Sequence, residues 1–258
     1  YALAVGFQHT RNRKKYLLRL YLANVGMVFF NQIMCMLQRK LDYVAYQPKN
    51  HNIFTTLFCA GVLICIWENR KEKKKFFTYI GIYIFWQAMV MGLAILAEAF
   101  DYVWRGNALL QTVLRTNYIF PLLGGIWDAE GGVFFIVLGV WLYCAVENKW
   151  KLALRYILFC GAYMFMCQGD ILYRIMSRFS FWGYHKLADV IYFGSSFVGI
   201  PLGTSDLSLL TEFYQWMMIG ALPIMLSCNG KRGKSLKWLF YAAYPLQFLV
   251  LYGISYYK

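Results

Sequence analysis

Residues 124–132 read GGIWDAEGG, with Asp128 and Glu130 between two pairs of glycines in a long apolar stretch. A carboxyl group held away from water resists ionisation, which moves its pKa toward the range where it can act as a general base. Irregular backbone at membrane depth survives only where it is buried in protein or lines a cavity. The other reading of these residues is a loop tip at the outer surface with both acids in water. The apolar segment before Asp128 is short enough to be re-entrant or interfacial. His9 closes the apolar stretch YALAVGF. Imidazole titrates near neutral pH, so His9 is a second acid/base candidate, or else an interfacial histidine beside basic anchors. His51 and His185 fall in polar connections.

Two basic turns offer a different chemistry. Residues 9–19 (HTRNRKKYLLR) carry Arg11, Arg13, Lys14, Lys15 and Arg19, and residues 229–237 (NGKRGKSLK) carry Lys231, Arg232, Lys234 and Lys237. Such turns anchor topology, and they also suit a polyphosphate ligand. A glycine-flanked turn ahead of a helix start exposes backbone N–H groups to an anion. NGKRG fits that description, although it lacks the GxxxxGK[ST] spacing of a P-loop.

The elements that position these residues are read from hydropathy. Of 258 residues, 60% are hydrophobic, 20% aromatic and 15% charged. A soluble domain is closer to half apolar and a quarter charged. About 20 apolar residues at 1.5 Å each cross a hydrocarbon core. The pattern predicts an all-α, polytopic transmembrane helical bundle with about seven full spans plus a truncated first one, as a single integral membrane domain over residues 1–258. The apolar runs are 20–37, 53–67, 76–97, a long broken one at 118–146, 152–167, 209–226 and the last twenty residues. Tyr1 sits inside the end of an apolar run, so the first span is expected to begin ahead of it. Residues 168–208 hold Asp170, Arg174, Arg178, Asp189 and Asp206 among tyrosines and Trp182. They read as a lid or acceptor surface on the outer side, or as an interfacial amphipathic segment.

Charge tests this topology. The loops 11–19, 68–75, 147–155 and 231–237 hold 17 of the 26 Lys and Arg, and only the acids Glu68, Glu72 and Glu147. Strict alternation of spans puts all four on one side, and their net charge of +14 equals that of the whole chain. Short basic loops stay inside, so a multi-pass protein of the cell (inner or plasma) membrane with cytoplasmic basic loops is expected. Topology explains the basic balance, and nucleic acid is not an expected partner. The seven cysteines lie mostly in apolar runs without CxxC or zinc-type His spacing, and read as small apolar residues.

Two stretches resemble the TraX family, membrane proteins first known as acetylases of conjugative pilin. They are GFQHTRNRKKYLLRL at 6–20 and QWMMIGALPIMLSCNGKRGKSLKWLFYAAYPLQFLVLYGI at 215–254. The middle of the chain matches in hydropathy and in an acid followed by glycine, Asp128 and Gly131 or Gly132. The resemblance implies transfer of an acetyl group from acetyl-CoA to an amine or hydroxyl of a peptide or glycan acceptor. It implies that Arg11, Arg13, Asn229, Lys231 and Arg232 hold the CoA phosphates. It also implies a histidine base in a span ahead of Tyr1, with Asp128 as its orienter or as a second acid, and His9 and Gln247 as further catalytic positions. The chain departs from the family pattern at Val5, where the family has Glu, and at Gln247, where it has His. Membrane lipid and acetyl-CoA are the expected partners. A catalytically inactive scaffold or partner subunit of the same fold is the alternative. A transporter calls for paired broken helices, and this sequence shows one broken stretch and no repeat.

Overall fold

A computed structural model describes residues 1–41, 52–105, 118–127, 129–167, 178, 186–187, 189–191, 214–228 and 237–256. Every regular element among them is helical. The chain divides into two compact units. One comprises Thr10–Glu130 with Arg232–Lys258, and the other Tyr1–His9 with Gly131–Lys231.

The first unit is built from α2 (Arg13–Leu41), α3 (Ile53–Glu68), α4 (Lys73–Arg105), the short α5 (Phe120–Leu123) and α9 (Lys237–Tyr256). α2 packs along α3, α4 and α2 both touch α5, and α9 lies on α2. A tight 3-10 turn, Asn69–Lys71, links α3 to α4, and Asn69 caps α3 by donating to the Cys65 carbonyl at 2.8 Å. Three stretches, Arg13–Met34, Ile53–Lys71 and Lys73–Ala97, are long and apolar enough to cross a membrane. Only 17% of the α4 stretch is buried, and Ile82, Ile84 and Phe85 are exposed along it. A helix that apolar and that uncovered is suited to lipid rather than water.

The ion pair between Arg13 and Glu68, 2.9 Å apart, joins the start of α2 to the end of α3. It places the basic residues of 11–19 and 68–75 at the same end of this unit, and Arg13–Arg19, expected as part of a turn, are already helical in α2.

The second unit contains α1 (Ala2–His9), α6 (Gly132–Tyr143), α7 (Lys149–Cys167), a 3-10 segment (Tyr214–Ala221) and α8 (Leu222–Ser227). Its core gathers Leu138, Leu142, Leu152, Tyr156, Phe159, Cys160 and Met225. Phe134 stacks on Phe159 with centroids 4.4 Å apart. The Tyr156 hydroxyl donates to the Met218 carbonyl at 2.8 Å, and Lys149 donates to the Leu226 carbonyl at 2.7 Å. Arg155 donates to the Trp141 carbonyl at 2.7 Å, with its guanidinium over the Trp141 ring.

Among the described residues, three membrane-length helices stand where seven full spans were expected. The apolar helices Gly132–Tyr143, Met217–Ser227 and Trp238–Leu251 fall short of that length among the described residues. Glycines delay the start of α6, since Gly131 and Gly132 both adopt positive φ. Pro223 stands in the first turn of α8 after a 3-10 segment. α7 carries Lys149, Lys151 and Arg155 in its first two turns, which lowers its hydropathy. The run 209–226 is described only from 214. Most of 168–208, with the proposed lid, lies outside the described residues.

The break expected in 118–146 is present. α5 is four residues long and ends at Gly124, whose φ is +65°. An L side chain is strained there, and a Cβ on Gly124 would lie 2.8 Å from Cε1 of Phe58. Gly26, in the middle of α2, has nothing within 4 Å of its own would-be Cβ. Gly124→Ala is therefore expected to lower stability by about 1–2 kcal/mol, and Gly26→Ala to leave it unchanged or raise it slightly. Thermal unfolding of both variants in detergent checks this, and equal melting temperatures for the two would show that the Gly124 turn carries no strain.

Candidate functional site

A helix that stops leaves its last carbonyls without intrahelical partners. In apolar surroundings each unpaired carbonyl costs about 1–3 kcal/mol. α5 stops after a single turn, and the first unit supplies the missing donors. Backbone N–H groups of Gly124 and Gly125 return to the carbonyls of Pro121 (3.2 Å) and Phe120 (2.7 Å). Side chains meet the rest. Asn24 Nδ2 donates to the Pro121 carbonyl at 2.6 Å, Tyr21 to Leu122 at 2.8 Å, and Trp86 Nε1 to Leu123 at 2.9 Å. Gly124 accepts from Gln87 Nε2 at 3.1 Å and from the Cys59 thiol at 3.4 Å. Gln87 also accepts from the Ile126 N–H at 3.0 Å, and its backbone carbonyl accepts from Trp127 Nε1 at 3.2 Å. α2, α3 and α4 thus each contribute to holding the break.

The network continues into the start of α3. Asn24 is fully buried, and its Oδ1 accepts from Asn52 Nδ2 at 2.7 Å and from the Thr55 hydroxyl at 2.8 Å. The Thr56 hydroxyl donates to the Glu130 carbonyl at 2.7 Å. The segment leaving the break is thereby tied to the N-terminus of α3.

Glu130 is consequently set beside the first N–H groups of α3. Its carboxylate accepts from the Tyr244 hydroxyl of α9 and from the backbone N–H of Asn52. The Tyr244 oxygen in turn accepts from the Ile53 N–H at 3.4 Å. Phe54 packs edge-on against the Tyr244 ring at 5.6 Å between centroids and fixes its place. Glu130 lies in the connection after α5, outside the three membrane-length helices. Burial pushes its pKa up from the ordinary carboxylate range, and the bonds from Tyr244 and Asn52 pull against that rise. A half-buried acid poised in this way can both give and take a proton.

The residues singled out from the sequence are distributed unevenly. Glu130 is in the network. His9 ends α1 and is exposed, as is Arg11 in the turn before α2. Arg13 starts α2 with its guanidinium already engaged by Glu68 and by the Thr10 carbonyl at 2.9 Å. Gln247 is exposed on α9, one turn beyond Tyr244. Asp128, Asn229, Lys231 and Arg232 lie outside the described residues. Tyr244, Asn52, Asn24 and Gln87 were not picked out from the sequence. The available signal was an amide within an apolar run, as at Asn24 and Gln87, since polar groups at such positions are costly without a partner. No family model, curated protein or solved structure matches the chain.

Asn24→Leu would take the side-chain acceptor from the Thr55 hydroxyl and one of two partners from each of the Pro121 carbonyl and the Asn52 amide, and a loss of about 1–3 kcal/mol is expected. An unchanged unfolding midpoint in detergent would refute that role. Glu130 sets a pH dependence of definite sign. Its folded-state pKa is raised, so the stability it contributes is complete below the unfolded value of 4.5 and is lost as pH rises through the folded value. Glu130→Gln is expected to abolish that decline, so the variant gains on the wild type as pH rises from 4 toward neutrality. Parallel melting curves of the two proteins across pH would contradict it.

Proposed function

We propose that this chain is a membrane-embedded acyltransferase of the TraX type. It moves an acetyl group from cytoplasmic acetyl-CoA to an amine or hydroxyl of a peptide or glycan. The observation that carries this reading is Glu130, an acid placed at a helix break in an apolar bundle and hydrogen-bonded by Tyr244 and Asn52. Acyl transfer to an amine or hydroxyl needs a group that moves protons where water is scarce. The basic turns supply the second requirement, cations at one end of the unit for the 3′-phosphate and pyrophosphate of CoA. Arg11 is exposed there, and in the sequence Lys231 and Arg232 fall in the glycine-flanked stretch NGKRG ahead of α9.

In this proposal the further apolar helices complete about seven crossings of the inner or plasma membrane, with the basic loops cytoplasmic. Asp128 orients the expected histidine base or acts as a second acid. Glu130 joins them as a proton-handling group.

A second reading has its own support. Gln247 and Val5 replace a histidine and a glutamate of the resembled family, and Gln247 is exposed rather than joined to the polar network. Glutamine cannot carry a proton at neutral pH. A non-catalytic scaffold or partner subunit would show those changes.

Titration calorimetry of the purified protein in detergent with acetyl-CoA separates the two. The acyltransferase is expected to bind, and Lys231→Ala/Arg232→Ala to weaken binding by about tenfold or more, since a charge-assisted hydrogen bond contributes about 1.5–3 kcal/mol. A folded wild type that does not bind acetyl-CoA would leave the scaffold.

A further inference from the structure

The loop ENRKEKKK at 68–75 carries five cations that acetyl-CoA leaves without a role. Its two acids act locally. Glu68 pairs with Arg13 of α2 at 2.9 Å, and Glu72 with Lys75 at 2.7 Å. Arg70, Lys71, Lys73 and Lys74 are exposed and belong to no ion pair among the described residues. The Arg13 pair brings three more exposed cations, Arg11, Lys14 and Lys15, to the same end of the unit. Like charges gathered at one end repel one another unless anions collect there. The apolar surface beside them is equally open. Trp67 is 37% exposed, with the Arg70 guanidinium 5.3 Å from its ring centre, and Phe76 stands edge-on to it at 6.2 Å. Phe77, Ile82 and Phe85 follow along α4, all exposed, on a stretch that is only 17% buried. At 1.5 Å per residue Ile82 lies about 12 Å along the helix from Lys74, whereas the headgroup layer is about 5–7 Å deep on each side of the hydrocarbon core. With Lys74 among headgroups, Ile82 is therefore among acyl chains. A soluble phosphate meets only the cations. A molecule with a phosphate at one end and hydrocarbon at the other meets both surfaces.

We propose that this end of the first unit is a docking site for an anionic glycerophospholipid, its phosphate held by Arg70, Lys71, Lys73 and Lys74 and its acyl chains lying on α4 past Phe77 and Ile82. The Arg13–Glu68 pair sets the start of α2 against the loop, so that Arg11, Lys14 and Lys15 add to the same field. Trp67 sets the depth. An indole at the end of an apolar helix settles at headgroup level, and Arg70, held over its ring, is kept at that level too. Each Lys or Arg beside an anionic surface strengthens binding about fivefold. A zwitterionic headgroup gains far less, because its own ammonium faces the same cations. The docking site is independent of acetyl transfer, and a non-catalytic scaffold would carry it equally.

Native mass spectrometry of the purified chain in detergent, mixed with dioleoyl phosphatidylglycerol or with dioleoyl phosphatidylcholine, tests it. The wild type is expected to hold the anionic lipid about tenfold or more tightly than the zwitterionic one. Arg70→Gln/Lys71→Gln/Lys73→Gln/Lys74→Gln, at exposed positions, should lose that preference. Lys71→Arg/Lys73→Arg/Lys74→Arg, which keeps every charge, should retain it. Glycerol phosphate, which has the anion without the chains, and CoA should leave the lipid in place at equal concentration. Equal retention of the two lipids by the wild type would overturn the site, and so would a preference unchanged in the fourfold Gln variant. Displacement of the lipid by glycerol phosphate or CoA at equal concentration would make this a site for soluble phosphate and overturn the lipid. Where circular dichroism shows that the fourfold variant has lost its helices, Lys71→Gln/Lys74→Gln gives the same reading. Its preference is expected to fall several-fold, and a wild-type preference there would overturn the proposal.

Discussion

The first unit depends on how one interrupted helix has its carbonyls satisfied. α5 is four residues long, far below the length at which a helix can pair most of its own backbone. Its exposed carbonyls lie among apolar helices, where water is not at hand to satisfy them. Asn24, Tyr21, Trp86, Gln87 and Cys59 come from three helices and each meets one of these oxygens. Removing the break would leave Asn24, Gln87 and Cys59 as buried polar groups short of a partner. Removing the side chains would leave the break unpaired. The two features stabilise each other, which is why a Gly-rich interruption can persist beside three long apolar helices.

That arrangement also decides where an acid goes. Once the segment after α5 is tied by Thr56 to the first turn of α3, the Glu130 carboxyl is left against the N–H groups that begin that helix. Two opposed effects then act on one group. Partial burial favours the uncharged acid, whereas the helix start and the Tyr244 hydroxyl favour the anion. Burial is the larger of the two, so the carboxyl stays above the ordinary carboxylate range. Tyr244 is placed by Phe54 and Phe248, with centroids at 5.6 and 5.0 Å, so an aromatic cluster supports the polar contact.

The basic end of the unit is organised by a different force. Arg13 and Glu68 are only partly exposed and join α2 to α3 directly. Arg70 lies over the Trp67 ring at 5.3 Å, beside the lysines of the same loop. Cations, an indole and the end of an apolar helix together form the arrangement expected at a membrane interface, with the aromatic ring at headgroup level and the charges beyond it.

Composition and spacing sufficed for the helical class, the three long apolar helices and the interruption at 118–146. These follow from properties that act along the chain: hydropathy over about twenty residues, local charge, and the conformational freedom of glycine beside proline. Helix length was less legible. The expected seven spans counted apolar residues without the Pro, Gly and polar residues that shorten helices, as in α6 and α8. Function was read toward Asp128 and His9 because they are conspicuous as residue types. The pairing of Glu130 with Tyr244, 114 residues later, and of Asn24 with Asn52 could not be read that way. Such pairs depend on which helix faces which, and at what height, which only packing in three dimensions determines. The sequence by itself determined that an acid would sit at a break in an apolar chain. Only the tertiary structure decided that Glu130 would meet the phenol of Tyr244 near the start of α3, because hydrogen bonds select partners by distance and direction and not by order along the chain.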